Sequence, residues 1–220
     1  MDKAIFDIYL LSGNLTIFCG AHADDFKSDI LHCSLYAELV AAQGENDRQM
    51  LWSTYTKTVS RFGWTIKSKE IQRVEFANTS LLNVIKQNNE SALPEDALQV
   101  LSQAFSSLQK LDSNCSAIKA FTNKLQSNAS VGGDTHALLT IVRNDRTVVT
   151  LQIAFRTRSP MSIDVLDLPV VEAIDDVGNN IRLMCSVLDS LQYARFRDEV
   201  IKKLGHKCET DLIHLRTATC

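Results

Sequence analysis

The sequence predicts an α+β protein: a helical N-terminal half packed on an antiparallel sheet in the C-terminal half, with an amphipathic helix closing the chain. Three observations carry this. From Phe26 to Leu125 apolar residues recur mostly at steps of three and four, the period of a helix with one buried face. From Ala137 onward they alternate at period two, as on a strand. The most loop-like stretch, Asn128 to Asp134 with Gly132-Gly133, separates the two patterns. With 220 residues, 45% of them hydrophobic, the chain buries a sizeable core without needing disulfides or metal, and no repeat or Pro-rich linker divides it. The expectation is a single domain over 1–220, with a mainly helical subregion 1–130 and a second, 131–220, of antiparallel strands plus the C-terminal helix.

The elements follow in order. Ile5, Phe6, Ile8, Leu10 and Leu11, then Leu15, Ile17 and Cys19, alternate loosely around Ser12-Gly13-Asn14, a hairpin signal, although residues 1–11 also read as the start of a helix. Phe26, Ile30, Cys33, Ala37 and Val40 mark an amphipathic helix stopping near Gly44. A second begins near Asp47, carries Leu51, Tyr55, Val59 and Phe62 on one stripe, and ends at Gly63. Trp64, Ile66, Ile71, Val74 and Phe76 are strand-like but broken by charge. Three helical segments come next: a short one over Ser80 to Lys86, one opened by Pro94-Glu95-Asp96, and one capped by Asn114. Pro suits a first helical position, and acids in the first turn complement the helix dipole.

Beyond the glycine pair, Ala137 to Val142 and Thr147 to Phe155 are joined by Arg143-Asn144-Asp145-Arg146, whose Asn-Asp centre suits a tight turn at positive φ. Val149, Leu151, Ile153 and Phe155 share one face, and Thr150, Gln152 and Arg156 the other, so one side packs and the other is more polar. Ile163 to Ile174 and Ile181 to Ser186 continue the meander. The closing helix runs from Ser190 to Leu204 and stops at Gly205, and residues 212–215 form a last strand or turn.

Composition excludes several functions. A net charge of −3, from 23 basic and 26 acidic residues, supplies no footprint for duplex nucleic acid. No apolar run approaches the roughly 18 residues of a membrane span. The start of the chain lacks a basic segment and a clear cleavage signal, so a cytoplasmic location is expected, with release without a classical signal peptide as the alternative. The six cysteines are widely and irregularly spaced, which favours free, mostly buried thiols in a reducing setting.

Chemistry is sparse. His32-Cys33, Cys19 with His22, and His206, Cys208 and His214 give only fragments of zinc-ligand spacing, so neither a metal site nor a cofactor is expected. Cys33 falls on an apolar helix stripe. Cys19, followed by Gly20 and His22 in a turn, is the better candidate for a thiol nucleophile beside a histidine base, and Cys19 and His22 are the catalytic candidates. Serine elbows and glycine-rich phosphate loops are absent. The acidic pairs Asp24-Asp25 and Asp175-Asp176 suit helix capping and solvation better than acid-base work. Arg143, Arg146, Arg156 and Arg158, opposed by Asp145 alone, concentrate positive charge at one end of the predicted hairpin. They are the leading binding candidates, fit for an anionic partner or lipid headgroups, and their structural alternative is protection of exposed strand edges.

Three pieces form a pattern: the helix Asp29-Ile30-Leu31-His32-Cys33-Ser34-Leu35-Tyr36-Ala37-Glu38-Leu39, the Trp52-Ser53-Thr54-Tyr55 helix running into Gly63-Trp64, and Arg197-Asp198-Glu199-Val200-Ile201-Lys202-Lys203-Leu204-Gly205. Their order resembles a group of uncharacterised bacterial and fungal proteins with a Gly-Trp helix exit and a closing Arg-Asp-x-Val-x-x-Lys-Leu-Gly helix. The resemblance implies helices first, strands second and a microbial source, and it carries no activity. With no nucleophile, base and anion-stabilising group assembled by the sequence, the expected function is non-enzymatic binding. The partner is a protein or an anionic lipid surface, with a homo-oligomer as a further possibility. The alternatives are a membrane-engaging or toxin-like protein released without a signal peptide, and a thiol-dependent enzyme.

Overall fold

A single mixed sheet divides the structure into two helical layers. The computed structural model describes residues 5–42, 48–88, 92–111, 115–127, 134–157, 162–173 and 180–215. In chain order the elements are β1 (Phe6–Leu11), β2 (Asn14–Cys19), α1 (Asp24–Ala42), α2 (Arg48–Arg61), β3 (Trp64–Gln72), α3 (Leu81–Asn88), α4 (Glu95–Gln109) and α5 (Ser116–Ser127). There follow β4 (Asp134–Val142), β5 (Thr147–Thr157), a 3-10 turn (Ile163–Leu166), β6 (Val171–Glu172), β7 (Ile181–Leu188), α6 (Ser190–Ala194), α7 (Arg197–Leu204), α8 (Lys207–Thr210) and β8 (Leu212–His214). No helix among the described residues is long and apolar enough to cross a membrane.

The α+β class holds, but the sheet is not the property of the C-terminal half. Its order is β3-β7-β5-β4-β2-β1-β8, with β6 on β5, so the first half supplies three strands. Nor is it wholly antiparallel, because β2 lies parallel to β4 from Asn14 opposite Leu138 to Phe18 opposite Val142. The physical reason is that a two-stranded hairpin is marginal alone, and β1–β2 gains stability by docking on the longer meander. Charge breaks the pattern of β3 because, among the described residues, it is an edge strand paired with β7 alone, and it is largely exposed.

Two further expectations are corrected. Of the stretch expected as strand over 163–174, residues 163–173 yield a 3-10 turn and the two-residue β6, and Ile174 lies outside the described residues; the Ser162 hydroxyl accepts from Asp164 N–H, and Pro169 has no N–H to give a ladder. The closing helix is split. Arg195 and Phe196 N–H donate three residues back, to Gln192 and Tyr193 carbonyls, which tightens the chain between α6 and α7. Phe196 there meets Phe62 edge to face at 5.5 Å.

Both faces of the sheet are buried. On one, α3, α4 and α5 cover Leu15, Ile17, Leu139, Ile141, Leu151 and Leu183. On the other, α1, α2, α6 and α7 cover Leu11, Phe18, Val142, Val148 and Met184. Gly63 makes the bend from α2 into β3 at φ +87°, and Trp64 turns back into the core. A Cβ on Gly63 would lie 3.1 Å from the Tyr193 nitrogen and 3.2 Å from the Asp189 carbonyl oxygen, so the start of α6 sits directly against it.

An ion pair among the described residues ties the helical layer over this face. Arg197, first residue of α7, donates from Nε and Nη2 to the two carboxylate oxygens of Asp29 on α1, both at 2.7 Å. The Asp29 side chain is only 3% exposed and that of Arg197 39%. The paired carboxylate holds the arginine pKa above its ordinary value. Arg197→Ala strands a carboxylate in the helical layer and is expected to lower unfolding free energy by about 2–4 kcal/mol, short of the fully buried case because the arginine is part-solvated. Urea denaturation measures it. A loss under 0.5 kcal/mol would show that the pair does not hold α7 to α1.

Candidate functional site

The sheet face beneath α1 and α2 is unusual for a core because its central rows are polar. Register places Asn14, Leu138, Gln152 and Arg182 in one row across β2, β4, β5 and β7, and Thr16, Thr140 and Thr150 in the next. All three threonines and Asn14 are fully buried, and Gln152 is 8% exposed. The side of β5 that reads as polar is therefore roofed by helices rather than open to solvent. Asn14 Nδ2 donates to Thr140 Oγ1 at 2.9 Å, and Arg182 Nη1 donates to Gln152 Oε1 at 2.7 Å. Among the described residues, Asn14 Oδ1 and Thr16 Oγ1 have no hydrogen-bond partner.

A cleft of about 140 Å³ opens between the Leu138–Gln152 part of this sheet face and the helical hairpin. Glu38, Ala41 and Ala42 face it from α1, where spacings of three and four put them on one side of the helix. Leu51, Trp52 and Tyr55 face it from α2, and the Trp52 and Tyr55 rings lie near-parallel at 6.4 Å. His136, Leu138 and Gln152 form the floor, and Ser12-Gly13 in the β1–β2 turn form a rim. Ser12 sits at φ +50°, a left-handed conformation that a non-glycine residue holds only where its surroundings demand it. Gly13 N–H donates to Glu38 Oε2 at 3.4 Å, which fixes the carboxylate against that turn. The Tyr55 hydroxyl donates to Ser34 Oγ at 3.5 Å, tying α2 to α1, and burial pushes its pKa up so that the phenol stays neutral.

The residues singled out by sequence lie elsewhere. Cys19 ends β2 and faces the opposite core, among α3 to α5. Burial, reinforced by Asp96 and opposed by Arg143, pushes its pKa up to about 12. His22 Nε2 donates to the Cys19 carbonyl oxygen at 3.0 Å, so the imidazole is engaged by the main chain; burial lowers its pKa. The pair as placed holds a protonated thiol and a ring stacked on Phe26 at 5.5 Å. Cys19, Cys33, Cys185 and Cys208 are free, whereas Cys115 is disulfide-bonded, so the expectation of uniformly free thiols fails there; Cys220 lies outside the described residues. No group of three or more His, Cys, Asp or Glu among the described residues is placed to hold a metal ion.

The three described arginines are not brought together. Arg143 and Arg146 flank the β4–β5 turn, while Arg156 lies at the far end of β5, opposite Asp134 and Glu172. At ~3.3 Å per residue the ten positions from 146 to 156 span on the order of 30 Å. Arg143 is bound to Asp145 at 3.0 Å and donates to the Ala92 carbonyl at 3.3 Å, and Arg146 lies over the Phe26 ring at 5.1 Å. Arg158 lies outside the described residues.

Sequence reading missed Glu38, His136 and Gln152 as site residues, and took Trp52 and Tyr55 only as helix markers. The available signal was the coincidence of Thr16, Thr140 and Thr150 on strands otherwise rich in Val, Ile and Leu, which marks a polar row inside a core.

The fold and cleft define an α+β protein with a helix-roofed site on a mixed sheet. No family model matches the chain, and no curated protein matches it in sequence. Among solved structures it is similar to the one described as "Structure of the Evf virulence factor", at 7% identity and a TM-score of 0.35, over 92% of this chain and 81% of that one. The functional reading rests on the cleft itself.

Iodoacetamide at pH 8 is expected to label Cys185 and Cys208, both half-buried, and to leave Cys19 and Cys33 unmodified in the native protein. Rapid modification of Cys19 would overturn this placement of the thiol. The folded-state pKa of Cys19 stands above its ordinary 9.0, so its protonated form contributes stability that is whole below pH 9 and is lost as pH rises through about 12. Unfolding free energy should fall across that window, less steeply in Cys19→Ala.

Proposed function

We propose that this protein acts by binding, and that the cleft between the α1–α2 hairpin and the sheet is where a small molecule sits. One observation carries the reading: a cavity walled by the Trp52 and Tyr55 rings on one side has the buried Gln152 amide and His136 in its floor on the other. Ligand sites combine mostly apolar walls with a few placed polar groups, and here a carboxylate, an imidazole and an amide supply them. At about 140 Å³ the space is below the ~300 Å³ of drug-sized pockets, which favours a guest of few heavy atoms. The frame is pre-formed, because Tyr55 is bound to Ser34, Glu38 to the β1–β2 turn and Gln152 to Arg182, so little ordering entropy opposes binding.

The buried, protonated Cys19 and the main-chain engagement of His22 support binding over thiol chemistry. A fragment screen by saturation-transfer NMR tests the proposal, using the intact chain and an Ala42→Trp variant that fills the cleft from its exposed rim. Hits should compete for one site and lose about tenfold or more in affinity in the variant. Binding unchanged by Ala42→Trp, or no saturable hit at all, would sink it.

A further inference from the structure

We infer that the cleft takes a small uncharged molecule, a carbon ring or branched chain bearing one hydrogen-bond acceptor, with Gln152 Nε2 as the donor that receives it; this rests on the cleft being the binding site. Gln152 lines the cleft at 8% exposure, so the residue is more than nine-tenths buried. A side-chain amide has an acceptor end and a donor end, and both require partners when buried. The acceptor end is taken, because Oε1 accepts from Arg182 Nη1 at 2.7 Å. Nε2 has no hydrogen-bond partner among the described residues. Arg182 neighbours Gln152 on the β7 side, so the donor end is left for the β4 side, where Leu138 stands opposite and also lines the cleft. A buried donor left unpaired costs stability, and an acceptor carried in by a guest removes that cost.

The ionisable groups around the space are already engaged. Gly13 N–H donates to Glu38 Oε2 at 3.4 Å, and Glu38, His136 and Arg182 each have further interactions within the protein. Arg182 stands in the same sheet row as Gln152, so charges of both signs border the site and neither is left to attract an ion. A charged guest would shed its water and gain no counter-charge, whereas an uncharged one gives up little hydration. Carbon makes much of the remaining wall, from Ala41 and Ala42 on α1, Leu51 and Trp52 on α2, and Leu138 on β4. The size agrees: the cleft holds about 140 Å³, and a carbon-lined cavity of ~150 Å³ accepts benzene.

Probes of equal heavy-atom count and nearly equal shape test this by chemical-shift titration of the intact chain. They are cyclohexanone, methylenecyclohexane, in which a CH2 group replaces the carbonyl oxygen, and the cyclohexylammonium ion. Cyclohexanone should bind saturably and at least as tightly as methylenecyclohexane, although the alkene leaves water more readily. The ammonium ion should bind about tenfold or more weaker than the ketone. Gln152→Glu keeps an acceptor for Arg182 and removes the amide donor, so it should lower ketone affinity about tenfold relative to the alkene. An alkene that binds more tightly than the ketone, an ammonium ion that matches it, or an unchanged ketone-to-alkene ratio in Gln152→Glu would overturn the inference while leaving the cleft a binding site. Failure of all the probes on the wild type also overturns it, and the Ala42→Trp fragment screen then decides the cleft separately. Should Gln152→Glu not fold, the wild-type comparison of the probes decides alone.

Discussion

The parallel pairing of β2 with β4 is the constraint on which the rest of the structure depends. It joins a hairpin at the start of the chain to the meander of the second half, over a sequence separation of 126 residues at the Asn14 to Thr140 hydrogen bond. A parallel neighbour requires a crossover, and here the connection comprises five helices and an edge strand rather than one helix. Without this seam, Ile17 and Ile141 on one face and Phe18 and Val142 on the other would each be left at an exposed sheet edge. Both cores run across it, and so does the floor of the cleft.

The cleft follows from how the helical hairpin meets that floor. Near its start α1 is held close by the Asp29–Arg197 pair and by Phe26 and Ile30 in the core. Toward its end the facing residues are Ala41 and Ala42, too small to fill the space above Leu138 and Gln152. The sheet contributes threonine, asparagine and glutamine where Val or Ile would pack better. Burying polar groups with incomplete partners costs stability, and a local departure from otherwise consistent packing is where function is expected.

Much of the fold was legible from periodicity. The α1–α2 hairpin, the Gly63–Trp64 exit, the Pro94 start of α4 and the β4–β5 hairpin each announce themselves through local steric and hydrogen-bonding preferences that survive into the folded state. The candidate site was much less legible. Glu38 reads as an ordinary helix-surface acid and Gln152 as the solvent face of a strand, because a one-dimensional pattern shows which residues share a side and not what covers that side. The separation of Arg156 from Arg143 and Arg146 has a related reason: closeness in sequence along an extended strand means distance in space, since each residue adds ~3.3 Å.

By itself the sequence determined most of the element types, the packing face of the β4–β5 hairpin, and the absence of familiar nucleophile and phosphate-binding signatures. These depend on side-chain period and on residue identity, which are local. Only the tertiary structure decided that β1, β2 and β3 join the later strands, that Cys19 points into the core on the sheet face opposite the cleft, and that the polar side of β5 is roofed. Those outcomes depend on which distant segments pair and on what is buried between them, and that is set by the free energy of closing the whole sheet rather than by any single segment.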